Sequence, residues 1–319
     1  MKVLVTGGAG YIGSALVPQL LSSGHRVRVV DALLHGGQSL LGAFSHPEFE
    51  FVRGDLTEAD VVRAAVERMD AVVHLAAIVG DPACARQPEQ ARAVNLGASL
   101  ALLDAARKAG VKRFVFASTC SNYGRMKDPT CYVDETSELA PVSLYAETKV
   151  VFERTLLAEN GLVATPLRFA TVYGVSARMR FDLTVNEFTM EMLTKGRLVV
   201  FGEQFWRPYI HVRDAARAIA LVLAAPESQI AGRVFNVGAT DQNYQKRQIV
   251  DLIRPFAPQA VVESVKRDED PRDYRVSFDR VRGDLGFEVS RTVPDGIAEV
   301  AVLVRSGVIS NFDDPRYRN

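Results

Sequence analysis

Short apolar runs alternate with helix-length amphipathic stretches through the first half of the chain. The runs are Lys2 to Val5, Val27 to Asp31, Phe49 to Gly54, Ala71 to Leu75, Phe114 to Ser118 and Val163 to Arg168. Strands separated by helical patterns predict right-handed βαβ crossovers and a parallel sheet. The nearly unbroken apolar character of each run predicts strands buried on both faces. Pro166 lies inside the sixth run and cannot donate to a ladder, so a bulge or a late strand start is expected there. After Gly174 the rhythm breaks. Residues 178–213 mix charge with aromatics, and then a helical pattern, Asp214 to Ala225, and another strand-like run, Val234 to Val237, return to the sheet. The division expected is 1–173 with 208–240 for the sheet domain and 174–207 with 241–319 for a smaller, ligand-facing lobe. Residues 311–319 are expected to fray.

Composition changes this picture little. The 319 residues are 48% hydrophobic, enough for a substantial core. Lys plus Arg, 38, equals Asp plus Glu, 38, so nothing in the charge balance calls for nucleic acid or an anionic membrane. Cys84, Cys120 and Cys131 are odd in number and lack CxxC spacing, against a disulfide framework or zinc site; a reducing cytoplasm and no metal are expected. The apolar stretch after Met1-Lys2 is too short for a signal peptide, and no run approaches the roughly 20 residues of a membrane helix.

The first chemical signal is Gly7-Gly8-Ala9-Gly10-Tyr11-Ile12-Gly13, directly after the first strand and opening a helical stretch. Glycines let the backbone approach a pyrophosphate closely, and a helix start offers N–H donors and a positive dipole end. The same glycines would also serve a plain tight turn. Asp31, ending the second run, favours the dinucleotide reading: an acid near this spacing hydrogen-bonds the adenosine ribose and repels a 2′-phosphate, which selects NAD over NADP. A solvated strand-end carboxylate is the alternative. Asp55 follows the third run, where adenine would lie, and Ala76-Ala77 follows the fourth. His74 reads as a packed strand histidine, because no second ligand lies at metal spacing.

Tyr145-Ala146-Glu147-Thr148-Lys149 places a phenol and an ammonium one helical turn apart. A tyrosine near its ordinary value of roughly 10 is a poor base at pH 7. A neighbouring cation and an oxidised nicotinamide both favour the phenolate. Ser118-Thr119-Cys120-Ser121-Asn122-Tyr123-Gly124, after the fifth strand, supplies a hydroxyl able to share the substrate oxygen.

Together these segments resemble the extended short-chain dehydrogenase/reductases that act on nucleotide-sugars, over essentially the whole chain. The resemblance implies an α/β fold: a Rossmann-type doubly wound parallel sheet with a smaller C-terminal substrate-binding lobe. It implies NAD as cofactor, a nucleotide-diphosphate sugar as substrate, and a homodimer formed through the helices near 88–110 and 143–160. By the same resemblance Thr119 assists Tyr145, and Lys149 also meets the nicotinamide ribose. Tyr11, Ile12, Leu56, Leu75 and Asn95 join the cofactor contacts.

On the substrate side, the Trp206-Arg207-Pro208-Tyr209-Ile210-His211-Val212 segment resembles the family's R-x-Y-I-H-V, whose Arg pairs with diphosphate. Arg267-Asp268-Glu269-Asp270 resembles its R-x-x-D, with Arg267 on phosphate and Asp270 on the nucleotide ribose. Arg272 is a third cation, Asn186 resembles a phosphate contact, and Thr171 stands where the epimerases carry Asn. Guanidinium forks suit diphosphate; surface ion pairs are the alternative role for each. The segment Ser176 to Asp182, with Arg180 as a substrate contact, and Asp270 to Tyr274 resemble a bacterial subgroup that includes GDP-heptose 4-dehydrogenases.

One departure narrows the chemistry. The 4,6-dehydratases carry Asp and Glu directly after the Thr; here Cys120 and Ser121 follow, and neither is an adequate general acid or base. The expected activity is a 4-epimerase that oxidises C4 transiently and keeps its dinucleotide. A net 4-dehydrogenase or 4-ketoreductase and a non-catalytic NAD-binding protein are the competing readings.

Overall fold

The computed structural model describes residues 1–125, 128, 131–267 and 272–319. Its strands are β1 (Lys2–Thr6), β2 (Arg26–Asp31), β3 (Phe49–Arg53), β4 (Ala71–His74), β5 (Arg113–Thr119), β6 (Val163–Phe169), β7 (Thr171–Tyr173), β8 (Arg197–Phe201), β9 (Trp206–His211), β10 (Phe235–Val237), β11 (Asn243–Gln245) and β12 (Val261–Val265). The longer helices are α1 (Gly13–Ser22), α2 (Ala59–Val66), α3 (Ser99–Lys108), α4 (Leu144–Ala158), α5 (Thr184–Thr194), α6 (Val212–Ala224), α7 (Lys246–Ile253) and α8 (Val293–Arg305). Seven strands form one sheet in the order β10-β6-β5-β4-β1-β2-β3, and every pair in it is parallel.

The sheet follows from residues that alternate between two cores. Val3 and Val5 of β1 pack with Leu16 and Leu20 of α1 and with Ile219 of α6. Leu4 faces the other way, toward Val62 of α2, Leu102 of α3 and Phe152 of α4. All are at most 2% exposed, and each such side chain contributes about 1.5–3 kcal/mol.

Pro166 causes neither a bulge nor a late start. β6 runs from Val163 and pairs with β5 without interruption, Phe116 opposite Pro166. The N–H of Val163 bonds toward β5, at Lys112 O, whereas Ala164 and Ala170 bond toward β10, at Gly232 and Val237. By alternation Pro166 turns its nitrogen to the β10 side. There β10 begins only at Phe235, level with Leu167, so no ladder bond is lost.

β9 lies outside the large sheet and joins β7 and β11 in a three-stranded one, while β8 pairs with β12. Tyr209 of β9, Val185 of α5, Ile249 of α7 and Ile297 of α8 share a separate apolar core. The tail is docked rather than frayed. Phe181 packs edge-on against Phe312 and Tyr317, and its N–H donates to Tyr317 O at 2.8 Å. None of the helices among the described residues is long and apolar enough to cross a membrane.

Candidate active site

The strand order reverses at β1, whose neighbours are β2 and β4, and ligands of doubly wound sheets lie beyond the strand ends at such a switch point. A cleft of about 480 Å³ opens there. Its floor is the turn after β1. Gly7 has φ +73°, and a Cβ on it would come within 2.7 Å of the Ala76 nitrogen; one on Gly13 would lie 2.6 Å from Gly8 Cα. The turn therefore needs glycine at both places to bring β1, β4 and α1 together. α1 opens at Ile12 without a side-chain cap; Ser14 N donates to Gly10 O and Ala15 N to Ile12 O, and the Gly13 N–H is left to a ligand.

Gly7, Gly10, Tyr11, Ile12, Gly13 and Asp31 all line the cleft, as do Asp55, Leu56, Leu75, Ala76 and Ala77. Asp31 accepts hydrogen bonds from Ala9 N at 2.9 Å and Leu33 N at 2.8 Å, which braces the glycine turn. Burial raises its pKa above the ordinary carboxylate value. Asn95 is off the wall: its amide closes on Ile78, accepting from Ile78 N and donating to Ile78 O. It shapes the segment after β4 and does not touch the cleft space. His74 is a packed strand histidine, bonded to Thr6 Oγ1 and Ser99 Oγ at 2.8 Å each.

Thr119, Tyr145 and Lys149 line the same cleft. Thr119 ends β5, and its Oγ1 accepts from Ser121 N at 3.1 Å. Ser143 caps α4, taking the Ala146 N–H and donating to Asp81 at 2.7 Å, so Tyr145 enters the cleft from the first turn. Lys149, one turn on, donates to Ala117 O at 2.8 Å and lies 5.8 Å from the Tyr145 ring centroid. Burial raises the Tyr145 phenol above its ordinary range, opposed by the nearby Arg180 guanidinium.

Burial also pushes the Lys149 ammonium down from 10.5 to about 7. The folded chain then binds fewer protons than the unfolded one between these values, so this group's contribution to stability is complete above 10.5 and declines as pH falls toward 7. Cofactor-free protein should accordingly lose thermal stability from pH 9 to pH 7, and Lys149→Met should remove part of that loss; an equal loss in the variant would refute the assignment.

At the substrate end Thr171, Arg180, Arg207 and Arg272 line the cleft. Arg272 pairs with Asp81 at 2.8 Å, Arg207 donates to the carbonyl of Arg272, and Arg180 is doubly bonded to Asp182. Two expected contacts are not on the wall. Asn186 is fully buried and accepts from Gly174 N while donating to Tyr11 OH and Arg180 O, so its amide is committed to the protein and has no reach to a phosphate. Arg267 is exposed, with its guanidinium 4.9 Å from the Phe201 ring, and does not line the cleft. Asp270 lies outside the described residues.

The sequence reading passed over His35, Arg178, Lys246, Tyr274 and Asn319, all on the cleft wall. Tyr274 and Arg178 lie in segments already singled out, but only the arginines beside them were selected. Burial, with Arg178 and Arg180 nearby, pushes the His35 pKa down to about 4. None of the three cysteines is in a disulfide among the described residues; the Cys120 thiol is buried and donates to Arg168 O at 3.2 Å.

A glycine cradle with no room for a Cβ, a carboxylate at the end of β2 and a Tyr–Lys pair across the cleft define a dinucleotide-dependent enzyme. The chain belongs to the NAD dependent epimerase/dehydratase family, whose family model matches residues 3–238. NAD is that family's cofactor, and the cradle fits it. The chain is 30% identical to a UDP-glucose 4-epimerase of Corynebacterium glutamicum, over 92% of both sequences. It is 32% identical to a dTDP-glucose 4,6-dehydratase of Actinoplanes sp., covering 96% of this chain and 98% of that one. Among solved structures, the Thermus thermophilus UDP-glucose 4-epimerase complex with NAD superposes with a TM-score of 0.84 at 29% identity, over 97% of this chain and 100% of that one.

Proposed function

We propose that this enzyme is a nucleotide-sugar 4-epimerase. The observation that carries the reading is the composition of the wall beside Thr119. Elimination of water needs a second acid and base next to the oxidised carbon. The two positions after Thr119 hold Cys120, whose thiol is buried and committed to a backbone carbonyl, and Ser121. What remains, Thr119, Tyr145 and Lys149, serves oxidation and reduction of one carbinol carbon.

When bound, NAD supplies a hydride acceptor and donor at that carbon. Tyr145 takes the proton of the C4 hydroxyl on its phenolate oxygen and returns it after the sugar has turned over. Thr119 donates a hydrogen bond to the same oxygen, which fixes the carbinol against the phenol. Lys149 holds the nicotinamide ribose and, as a cation, favours the phenolate. Arg207 and Arg272 grip the diphosphate, which stays in place while the sugar rotates. The reading includes a homodimer, supported by Leu100 of α3 and Val151 of α4, apolar side chains left 37% and 46% exposed on the outer helices.

Incubation with a panel of UDP-, dTDP- and GDP-sugars tests the activity. Proton NMR should show inversion at C4 for at least one of them, with no sustained rise at 340 nm. A stoichiometric rise at 340 nm would instead establish a net 4-dehydrogenase, and a 4-keto-6-deoxy product a dehydratase.

A further inference from the structure

Arg178 is a buried cation with no role in the chemistry above. It is 6% exposed and lines the cleft on the dinucleotide side. Its segment is stapled to the start of α1: Ser176 Oγ donates to Tyr11 O at 2.8 Å, Ser176 and Ser14 hydroxyls lie 2.7 Å apart, and Arg178 N donates to Ser14 Oγ at 3.2 Å. The side chain is therefore held beside the glycine turn and the uncapped N-terminus of α1.

One end of the guanidinium is fixed by the docked tail, with Nη2 donating to Arg318 O at 2.9 Å and Asn319 Oδ1 at 2.7 Å. Its Nε is buried and closed to a ligand in the cleft, and its Nη1 donates to none of the described residues. The nearest acid on its own segment, Asp182, is taken bidentately by Arg180 and also by the N–H of Asn319. Asp31 faces the group from β2 but spends its oxygens on Ala9 and Leu33. A buried guanidinium with an unused donor calls for an anion within reach, and the anion that a glycine turn and helix start receive is a pyrophosphate.

We infer that Arg178 is a direct ligand of the cofactor pyrophosphate, pre-oriented by the main chain of Arg318 and the side chain of Asn319. It adds a charge-assisted contact to the backbone N–H groups of the turn. With the tail folded over it, it slows dinucleotide release. The inference rests on the family's cofactor and deepens the epimerase reading, because an enzyme that oxidises and reduces the same carbon must keep its dinucleotide through turnover.

The test uses the full chain and no sugar, so it is independent of the activity assay. Displacement of bound NADH, followed by its fluorescence, gives affinities for NAD, ADP-ribose and adenosine in wild type, Arg178→Gln and Arg178→Lys. Arg178→Gln should weaken NAD and ADP-ribose by about tenfold to hundredfold, the range expected for a lost charged hydrogen bond, and leave adenosine within about twofold. Arg178→Lys should fall between. Because the comparison is a ratio between ligands on one variant, it stands even where a variant is less stable. Equal weakening of adenosine and ADP-ribose, or no weakening of either, would overturn the inference. Loss of NAD contrast with intact C4 inversion would remove it while leaving the proposed activity standing.

Discussion

Tyr145→Phe is expected to lower turnover by roughly 10²- to 10⁴-fold, the range spanned by removal of a positioned acid–base group. The substitution deletes one oxygen on the first turn of α4, whose cap at Ser143 and whose Lys149 contact to Ala117 O do not depend on it. NAD binding should therefore stay within a few-fold of wild type, and KM should move less than kcat. Steady-state kinetics with the true substrate, beside NADH fluorescence titration, separates the two effects. Turnover within tenfold of wild type would mean that another group carries the proton.

The largest effect on stability is expected from Glu153→Ala. Glu153 of α4 is 1% exposed and accepts from Arg168 of β6 at 2.5 Å and 3.1 Å and from Ser118 Oγ at 2.6 Å. Arg168 in turn donates to Tyr123 OH at 2.9 Å, and Tyr123 OH to Asn236 Oδ1 at 2.7 Å. This network ties α4, β5, β6 and β10 together directly behind Thr119. Removing one member of a buried pair leaves the other charge uncompensated and costs about 3–5 kcal/mol. Thermal unfolding should show a fall in Tm of roughly 10 °C. Replacing both residues by methionine should recover much of the loss, since the desolvation of two charges disappears with them. A Tm unchanged by Glu153→Ala would show that the network is not coupled to the fold.

The strands of the large sheet were legible because burial on both faces leaves an apolar run that few other structures need, as in Val3-Leu4-Val5. The glycine turn, Asp31 and the Tyr145–Lys149 pair were legible for a similar reason: each is local, with its spacing fixed by one turn or one helix. Residues whose surroundings come from distant chain were harder to read. Asn186 sits in a Val-Asn pair that resembles a phosphate contact, yet its amide is claimed by Gly174, Tyr11 and Arg180. Arg178 takes its meaning from residues 318 and 319, about 140 positions away, and from a tail expected to fray. The Glu153–Arg168 pair places two charges where pattern reading expects solvent or apolar packing. The three-residue strands β7 and β11 are too short to leave any periodicity, so the small sheet that carries Thr171 and Arg207 has no signature of its own.

The central claim is that the chemistry begins and ends at one sugar carbon. A nucleotide-sugar substrate deuterated at C4, once the panel has identified it, tests this most directly by NMR of the recovered sugar. The account predicts inversion at C4 with the deuterium still on C4 and no dinucleotide consumed. Deuterium lost to solvent, moved to another carbon, or found in released reduced dinucleotide would contradict it.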